Sequence, residues 1–188
     1  MSTAIQRSVI KATEAALAHL VKISKMVDSK LVAEGVLYET VAQTLLGGTA
    51  DWVNHEHRID LKNGRRVKLA GDHKRVDFAL RDGGETHLIE IVVASRTTLK
   101  ASVDVSNDME KLFRGMPSDV SKSGFGSYSY LVVFNIKTEL SHPDNPGYIT
   151  WSEPPSDKRV TFITSFMYKS KGFVRTAAVF KVLRSAAR

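Results

Sequence analysis

Asp77 and Glu90 are the residues whose types and spacing first suggest chemistry. Asp77 sits in Arg75-Val76-Asp77-Phe78-Ala79-Leu80, and Glu90 opens Glu90-Ile91-Val92. Between them, Asp82-Gly83-Gly84-Glu85 has the composition of a tight two-residue hairpin loop. That loop sets Asp82 opposite Glu85, and the same register sets Asp77 opposite Glu90 and Arg75 opposite Val92. Directly opposed side chains have Cβ atoms roughly 4.5–5.5 Å apart, close enough for two carboxylates to repel. The other face of the hairpin is expected to carry Val76, Phe78, Leu80, Ile89, Ile91 and Val93 as a core surface. Two acids facing each other on strands this apolar call for a counter-charge. A divalent cation such as Mg²⁺ or Mn²⁺ answers that need, because carboxylate oxygens are its natural ligands. The plainer alternative is that each acid pairs with a nearby base, such as Arg75 or Lys74, on a solvent-facing sheet surface.

Around this hairpin the chain reads as alternating helices and strands. Ile5, Val9, Ala12, Ala16, Leu20, Ile23 and Val27 recur at three- and four-residue steps, which predicts a helix over 3–27. A second helix over 29–46 ends at Gly47-Gly48. Strands are expected over 52–61, 75–80, 86–94, 128–136, 160–168 and 173–183, with a short helix over 104–114. The order predicts one α/β domain over 1–188 with a mixed sheet and N-terminal helices: an N-terminal helix over 1–28, a core over 29–136 and a β-rich part over 137–188.

Composition narrows the function classes. A 43% apolar and 25% charged chain of 188 residues matches a globular protein, which sets aside disorder and fibrous structure. With no cysteine there is no disulfide, thiolate nucleophile or cysteine zinc site. The apolar runs fall short of the roughly 20 residues that cross a bilayer, and no signal-peptide core is visible. The expectation is a cytoplasmic protein that does not engage membranes.

The net charge of +7 is unevenly placed. From Lys158 to Arg188 there are eight basic residues and no acidic one, leaving 19 basic against 20 acidic elsewhere. Positive charge concentrated on folded strands points to a polyanion, because each neutralised phosphate releases counterions. Lys158, Arg159, Lys169, Lys171, Arg175 and Lys181 are the candidate nucleic-acid contacts; a merely solubilising basic surface is the alternative. His55 and His57 have strand-face spacing for a metal pair but no evident third ligand, and surface histidines account for them equally.

Asp77, a strand–turn–strand spacer and Glu90-x-Val92 resemble the core of the PD-(D/E)XK, or restriction-endonuclease-like, nucleases. Glu39, in Leu37-Tyr38-Glu39, resembles the acid that many members carry on the helix before the sheet. Gly35, Val36 and Ala42 lie near it at helical spacing, which would turn its carboxylate toward the sheet. The resemblance spans about residues 30–136, including the Asp108-x-x-Lys111-Leu112 helix. It implies a restriction-endonuclease-like mixed sheet flanked by helices. It also implies a metal held by Asp77, Glu90, the Ile91 carbonyl and Glu39.

The chain departs from the family at one position. Where the family has a lysine two residues after the glutamate, this chain has Val92. Arg75, opposite Val92, could supply the missing positive charge, though a guanidinium is too basic to act as a base. Lys111 could reach the site from the following helix, as relocated lysines do in some members. The third course is that catalysis is lost. The functional expectation is therefore a Mg²⁺- or Mn²⁺-dependent DNA endonuclease using Asp77, Glu90 and Lys111 or Arg75. Its rivals are a catalytically inactive module of the same fold that binds nucleic acid or a protein partner, and a structural domain whose acids form ion pairs. A homodimer is also an open expectation, with the first helix as an interface.

Overall fold

The computed structural model describes residues 3–23, 30–46, 52–61, 75–82, 84–94, 108–109, 111–113, 115–117, 127–139, 158–170 and 173–184. Helix α1 (Ala4–Lys22) begins where Thr3 offers its hydroxyl to the Gln6 amide, satisfying one of the donors that a helix start leaves without a partner. Its buried side chains, Ile5, Val9, Ala12, Ala16, Leu17 and Leu20, keep the helical spacing read from the sequence. In α2 (Lys30–Leu46), Leu37, Val41 and Leu45 are buried at four-residue steps. The two helices pack on each other, α1 lying against β5, β6 and β7 and α2 against β1 and β3.

The strands are β1 (Trp52–Leu61), β2 (Arg75–Asp82), β3 (Glu85–Ala94), β4 (Gly115–Pro117), β5 (Tyr128–Glu139), β6 (Val160–Ser170) and β7 (Phe173–Leu183). Among the described residues they form one sheet in the order β4-β1-β2-β3-β5-β7-β6. Neighbours are antiparallel except β3 and β5, which run parallel, so the sheet is mixed and the class is α/β. A parallel pair needs a long crossover connection. The one from β3 to β5 carries a short helical stretch, residues 108–109 and 111–113. Strand β4, on the same connection, pairs with Ile59–Leu61 at the sheet edge. Its three residues, Gly-Met-Pro, carry no strand pattern, which is why the sequence does not predict it. Proline is tolerated there because an edge strand need not donate on both sides.

Each face of the sheet has its own core. Phe78, Leu80, Ile89, Ile91, Val93, Tyr130, Val132, Phe134, Ala177 and Val179 meet α1 and α2. Ala79, Leu88, Val92, Leu131, Val133, Phe180 and Val182 meet Met109, Leu112 and Phe113 of the helical stretch. Each buried Val, Leu, Ile, Phe or Met among them stabilises the fold by about 1.5–3 kcal/mol. Val76 differs from expectation, since it joins this second cluster rather than that of Phe78 and Leu80. Strict alternation in β2 therefore breaks at Asp77. No helix among the described residues is long and apolar enough to cross a membrane.

Candidate functional site

The β2–β3 register runs from Asp82↔Glu85 to Phe78↔Ile89, the register the hairpin loop implies, with Gly84 in the left-handed conformation (φ 85°) that the turn requires. Asp77 and Glu90 are the next residues along. There the Asp77 carboxylate accepts the Ile91 amide hydrogen at 2.6 Å, so a side chain takes the place of a ladder partner and fixes the carboxylate at the strand opening. Glu90, on the face shared by Leu88 and Val92, is only 1% exposed.

From the helical stretch, Lys111 reaches down onto this acid. Its Nζ lies 2.6 Å from Glu90 Oε1 and 2.8 Å from Asp108 Oδ1. The Asp108–Lys111 spacing of three residues places both side chains on one side of a helical turn. Met109, Leu112 and Phe113 anchor that turn in the apolar cluster, so the ammonium is carried to the sheet by packing as well as by charge. The Glu90–Lys111 contact is a close, buried ion pair.

Burial dominates the electrostatics. It lifts the Asp77 carboxyl to about 6, against the pull of the Ile91 amide, the Glu90 side chain and Lys111. It raises Glu90 well above the ordinary carboxylate range, with Asp77 and Asp108 adding to the effect and Lys111 opposing it. Burial also works to lower the Lys111 ammonium, but Glu90 and Asp108 outweigh it and hold the group above its usual value. Lys111 is therefore a permanent cation at neutral pH. Asp77 and Glu90 titrate as a coupled pair.

Among the described residues, no three His, Asp or Glu side chains gather into a metal site. Glu39 is the reason that the expected acidic set is incomplete. It is exposed on α2, accepts a hydrogen bond from Gln43 Nε2 at 3.2 Å, and lies across the sheet from Glu90. The stripe that faces the sheet is Leu37, Val41 and Leu45, with Tyr38 at its border. The Tyr38 ring stacks on Phe78 at 6.0 Å, and its hydroxyl donates to the Ile91 carbonyl at 3.3 Å. Sequence reasoning missed Tyr38, although its place next to Leu37 is the available signal. It also left Asp108 unassigned, although the i,i+3 spacing to Lys111 is visible in the sequence.

Arg75 does not stand opposite Val92. Of Arg75 the structure describes the backbone, which pairs with Arg58 on β1 beyond the end of the β2–β3 register. Val92 is buried in the second cluster. His55 and His57, likewise described by backbone alone, pair with Phe78 and Val76.

The basic segment divides between the two faces. Lys158 is exposed, and the Arg159 guanidinium lies 3.6 Å above the Phe113 ring, on the face of the acid pair. Arg175 is buried, contrary to its expectation as a surface contact, because β7 alternation turns it to the α1 side with Ala177 and Val179. Lys181 follows the same alternation, and its Nζ sits 3.5 Å above the Tyr128 ring. Of Lys169 the structure describes the backbone, paired with Val174, and Lys171 lies outside the described residues.

No family model, curated protein or solved structure matches the chain.

Proposed function

We propose that this protein is a metal-dependent deoxyribonuclease with a restriction-endonuclease-like core, hydrolysing phosphodiester bonds at Asp77, Glu90 and Lys111. The observation that carries the reading is the Lys111 ammonium, 2.6 Å from the buried Glu90 carboxylate beside Asp77, at a site whose own strand supplies Val92 instead of a cation. Two acids and one lysine meeting at a strand opening are the groups that phosphodiester hydrolysis uses in the family the sequence resembles.

The residues fit a Mg²⁺ or Mn²⁺ ion. Magnesium is commonly held by one or two carboxylates, with water and phosphate filling the remaining positions. Glu90 is a buried carboxylate and Asp77 a half-buried one, and burial disfavours the charged form of both. These two would hold the ion, with the Ile91 carbonyl as a further oxygen. When bound, the ion lowers the pKa of a coordinated water and neutralises phosphate charge.

The chain's own groups do the remainder. The Ile91 amide orients Asp77, and Tyr38 steadies the same peptide through its carbonyl. Lys111, steered by Asp108, presents a fixed positive charge where charge develops on the attacked phosphate. Its raised pKa makes it an electrostatic stabiliser rather than a base. Arg159 on the same face, with the exposed Lys158 next to it in the chain, attracts the DNA backbone.

A second reading has one specific observation in its favour. Glu90 is almost wholly buried and already balanced by Lys111, which suits a catalytically silent DNA-binding module whose charge network is structural.

Incubation with supercoiled and linear duplex DNA in Mg²⁺, Mn²⁺ or EDTA, beside Asp77→Ala, Glu90→Ala and Lys111→Ala, separates the two. Metal-dependent cutting that all three substitutions abolish is the expected result. DNA retained at low salt but never cut supports the binding module. Neither retention nor cutting overturns both.

A further inference from the structure

The eight basic residues of the last 31 positions look like one patch in sequence, but among the described side chains Arg159 takes one face of the sheet and Arg175 and Lys181 the other. The register of β7 decides which face each takes. Ala177 and Val179 pack toward α1 and α2, whereas Phe180 and Val182 pack toward the helical stretch. Alternation then puts Arg175 and Lys181 on the α1 side. Both observed environments agree, since Arg175 is buried and Lys181 sits on Tyr128, whose alternation matches that of Tyr130 in the α1 cluster.

Arg159 takes the other side. It lies in the turn that opens β6, where its carbonyl accepts the Leu183 amide at 2.7 Å and fixes the turn against β7. Its guanidinium lies 3.6 Å above Phe113, a buried ring two residues beyond Lys111 in the same helical stretch. One turn of helix thus links a cation on Glu90 to a cation on an aromatic platform. Stacking engages the face of a guanidinium, whereas phosphates are met by its in-plane N–H groups, so the platform orients the group for a planar anion contact. Lys158, exposed and adjacent, adds charge to the same edge.

We propose that Arg159, stacked on Phe113, is the phosphate-backbone contact that draws DNA onto the Asp77–Glu90–Lys111 face, and that Arg175 and Lys181 on the opposite face take no part in it. The proposal rests on the nuclease-like reading for the identity of the polyanion, but its test does not depend on cutting.

Binding of a fluorescent mixed-sequence duplex of about 20 base pairs is measured by anisotropy in EDTA over a series of salt concentrations. Arg159→Gln and Lys181→Gln remove the same charge from opposite faces. Losing one phosphate contact reduces the slope of log affinity against log salt by about one. Arg159→Gln is expected to do that and to weaken binding about tenfold at low salt, with Lys181→Gln matching the parent. Phe113→Leu keeps an apolar filler and the full charge while removing the platform, and is expected to weaken binding in the same direction. Circular dichroism verifies folding of each variant. If Arg159→Gln does not fold, Phe113→Leu against Lys181→Gln decides the matter.

Equal losses in Arg159→Gln and Lys181→Gln would show that only net charge counts and overturn the proposal. Parental binding by Arg159→Gln, or no DNA binding by the parent protein, also overturns it. A parent that cuts DNA while Arg159→Gln binds and cuts normally sinks this inference but not the nuclease reading. A parent that never cuts, with binding lost in Arg159→Gln alone, sinks the nuclease reading but not the inference.

Discussion

Lys111 Nζ lies 2.6 Å from Glu90 Oε1, so the acid that is strongly buried among the described residues of the sheet is balanced by a residue 21 positions away on a different element. Breaking a buried ion pair by removing one partner costs about 3–5 kcal/mol, because the remaining charge has no compensation. Lys111→Met is expected to fall at or below the low end of that range, since Glu90 can take up a proton instead. Urea denaturation of Lys111→Met and Glu90→Gln at pH 7 measures this. A loss below about 0.5 kcal/mol in Lys111→Met would show that the pair does not anchor the helical stretch.

Asp77 gives the stability of the fold a defined pH dependence. Its carboxyl titrates at about 6 when folded and at the ordinary 3.8 when unfolded, so the folded state binds the proton more tightly. Its contribution is fully present below 3.8 and is lost as pH rises to about 6, with no further change above. The difference corresponds to about 3 kcal/mol. Asp77→Asn removes this loss, so its stability relative to the parent should rise between pH 4 and pH 6 and remain higher at pH 7. Parallel denaturation curves across pH 4–8 check the sign; a constant difference would show that burial does not perturb Asp77.

The same unfavourable ionisation predicts a response to Mg²⁺. An ion that binds only the folded state stabilises it by about 2.7 kcal/mol at a hundred times its dissociation constant. Thermal unfolding at pH 7 should therefore shift upward with Mg²⁺ or Mn²⁺ in the parent protein and stay fixed in Asp77→Ala. A flat response in the parent would remove the metal from the site irrespective of any activity.

Glu39 and Tyr38 separate a surface acid from a structural hydroxyl. Glu39→Ala removes an exposed side chain hydrogen-bonded to Gln43, so stability should stay within about 0.5 kcal/mol and, if the protein cuts DNA, cutting should be unaffected. Tyr38→Phe keeps the ring on Phe78 but deletes the donor to the Ile91 carbonyl, with an expected cost of about 1 kcal/mol. Urea denaturation and a cleavage assay on both variants check the pair. Loss of cutting in Glu39→Ala would return that acid to the site.

What was legible in the sequence follows from how local each signal is. The hairpin register was readable because Gly83-Gly84 fixes the loop, and strand pairing then propagates from it as far as Phe78↔Ile89. Lys111 could be named as a candidate, but nothing in its own segment says that Glu90 is its partner. That contact depends on the β3–β5 crossover carrying the helical stretch over one particular face. Glu39 went astray because Leu37-Tyr38-Glu39 offers neighbouring choices about 100° apart around a helix, and the stripe Leu37, Val41, Leu45 wins by burying larger apolar side chains than Gly35 and Ala42. The basic segment misled for a different reason. A run of like charge in sequence becomes two faces once it is folded into strands, because alternation separates Lys181 from the face of Arg159.

Val92 offers the most direct test of whether Lys111 substitutes for a lysine on the strand. Val92 and Glu90 share a sheet face, and Val92 is buried in the cluster that includes Met109 and Leu112. Val92→Lys alone puts a second ammonium into an apolar site already neutralised by Lys111, at an expected cost of about 2–4 kcal/mol. In the Lys111→Met background the same substitution supplies the charge that Glu90 has lost, so the double variant should be more stable than the two single losses predict. A double-mutant cycle by urea denaturation yields that coupling, expected at about 1–3 kcal/mol and favourable. If the protein cuts DNA, the double variant should also recover part of the cutting that Lys111→Met loses. Strict additivity of the two substitutions would mean that position 92 cannot reach Glu90, and that the cation at this site has to come from the helical stretch.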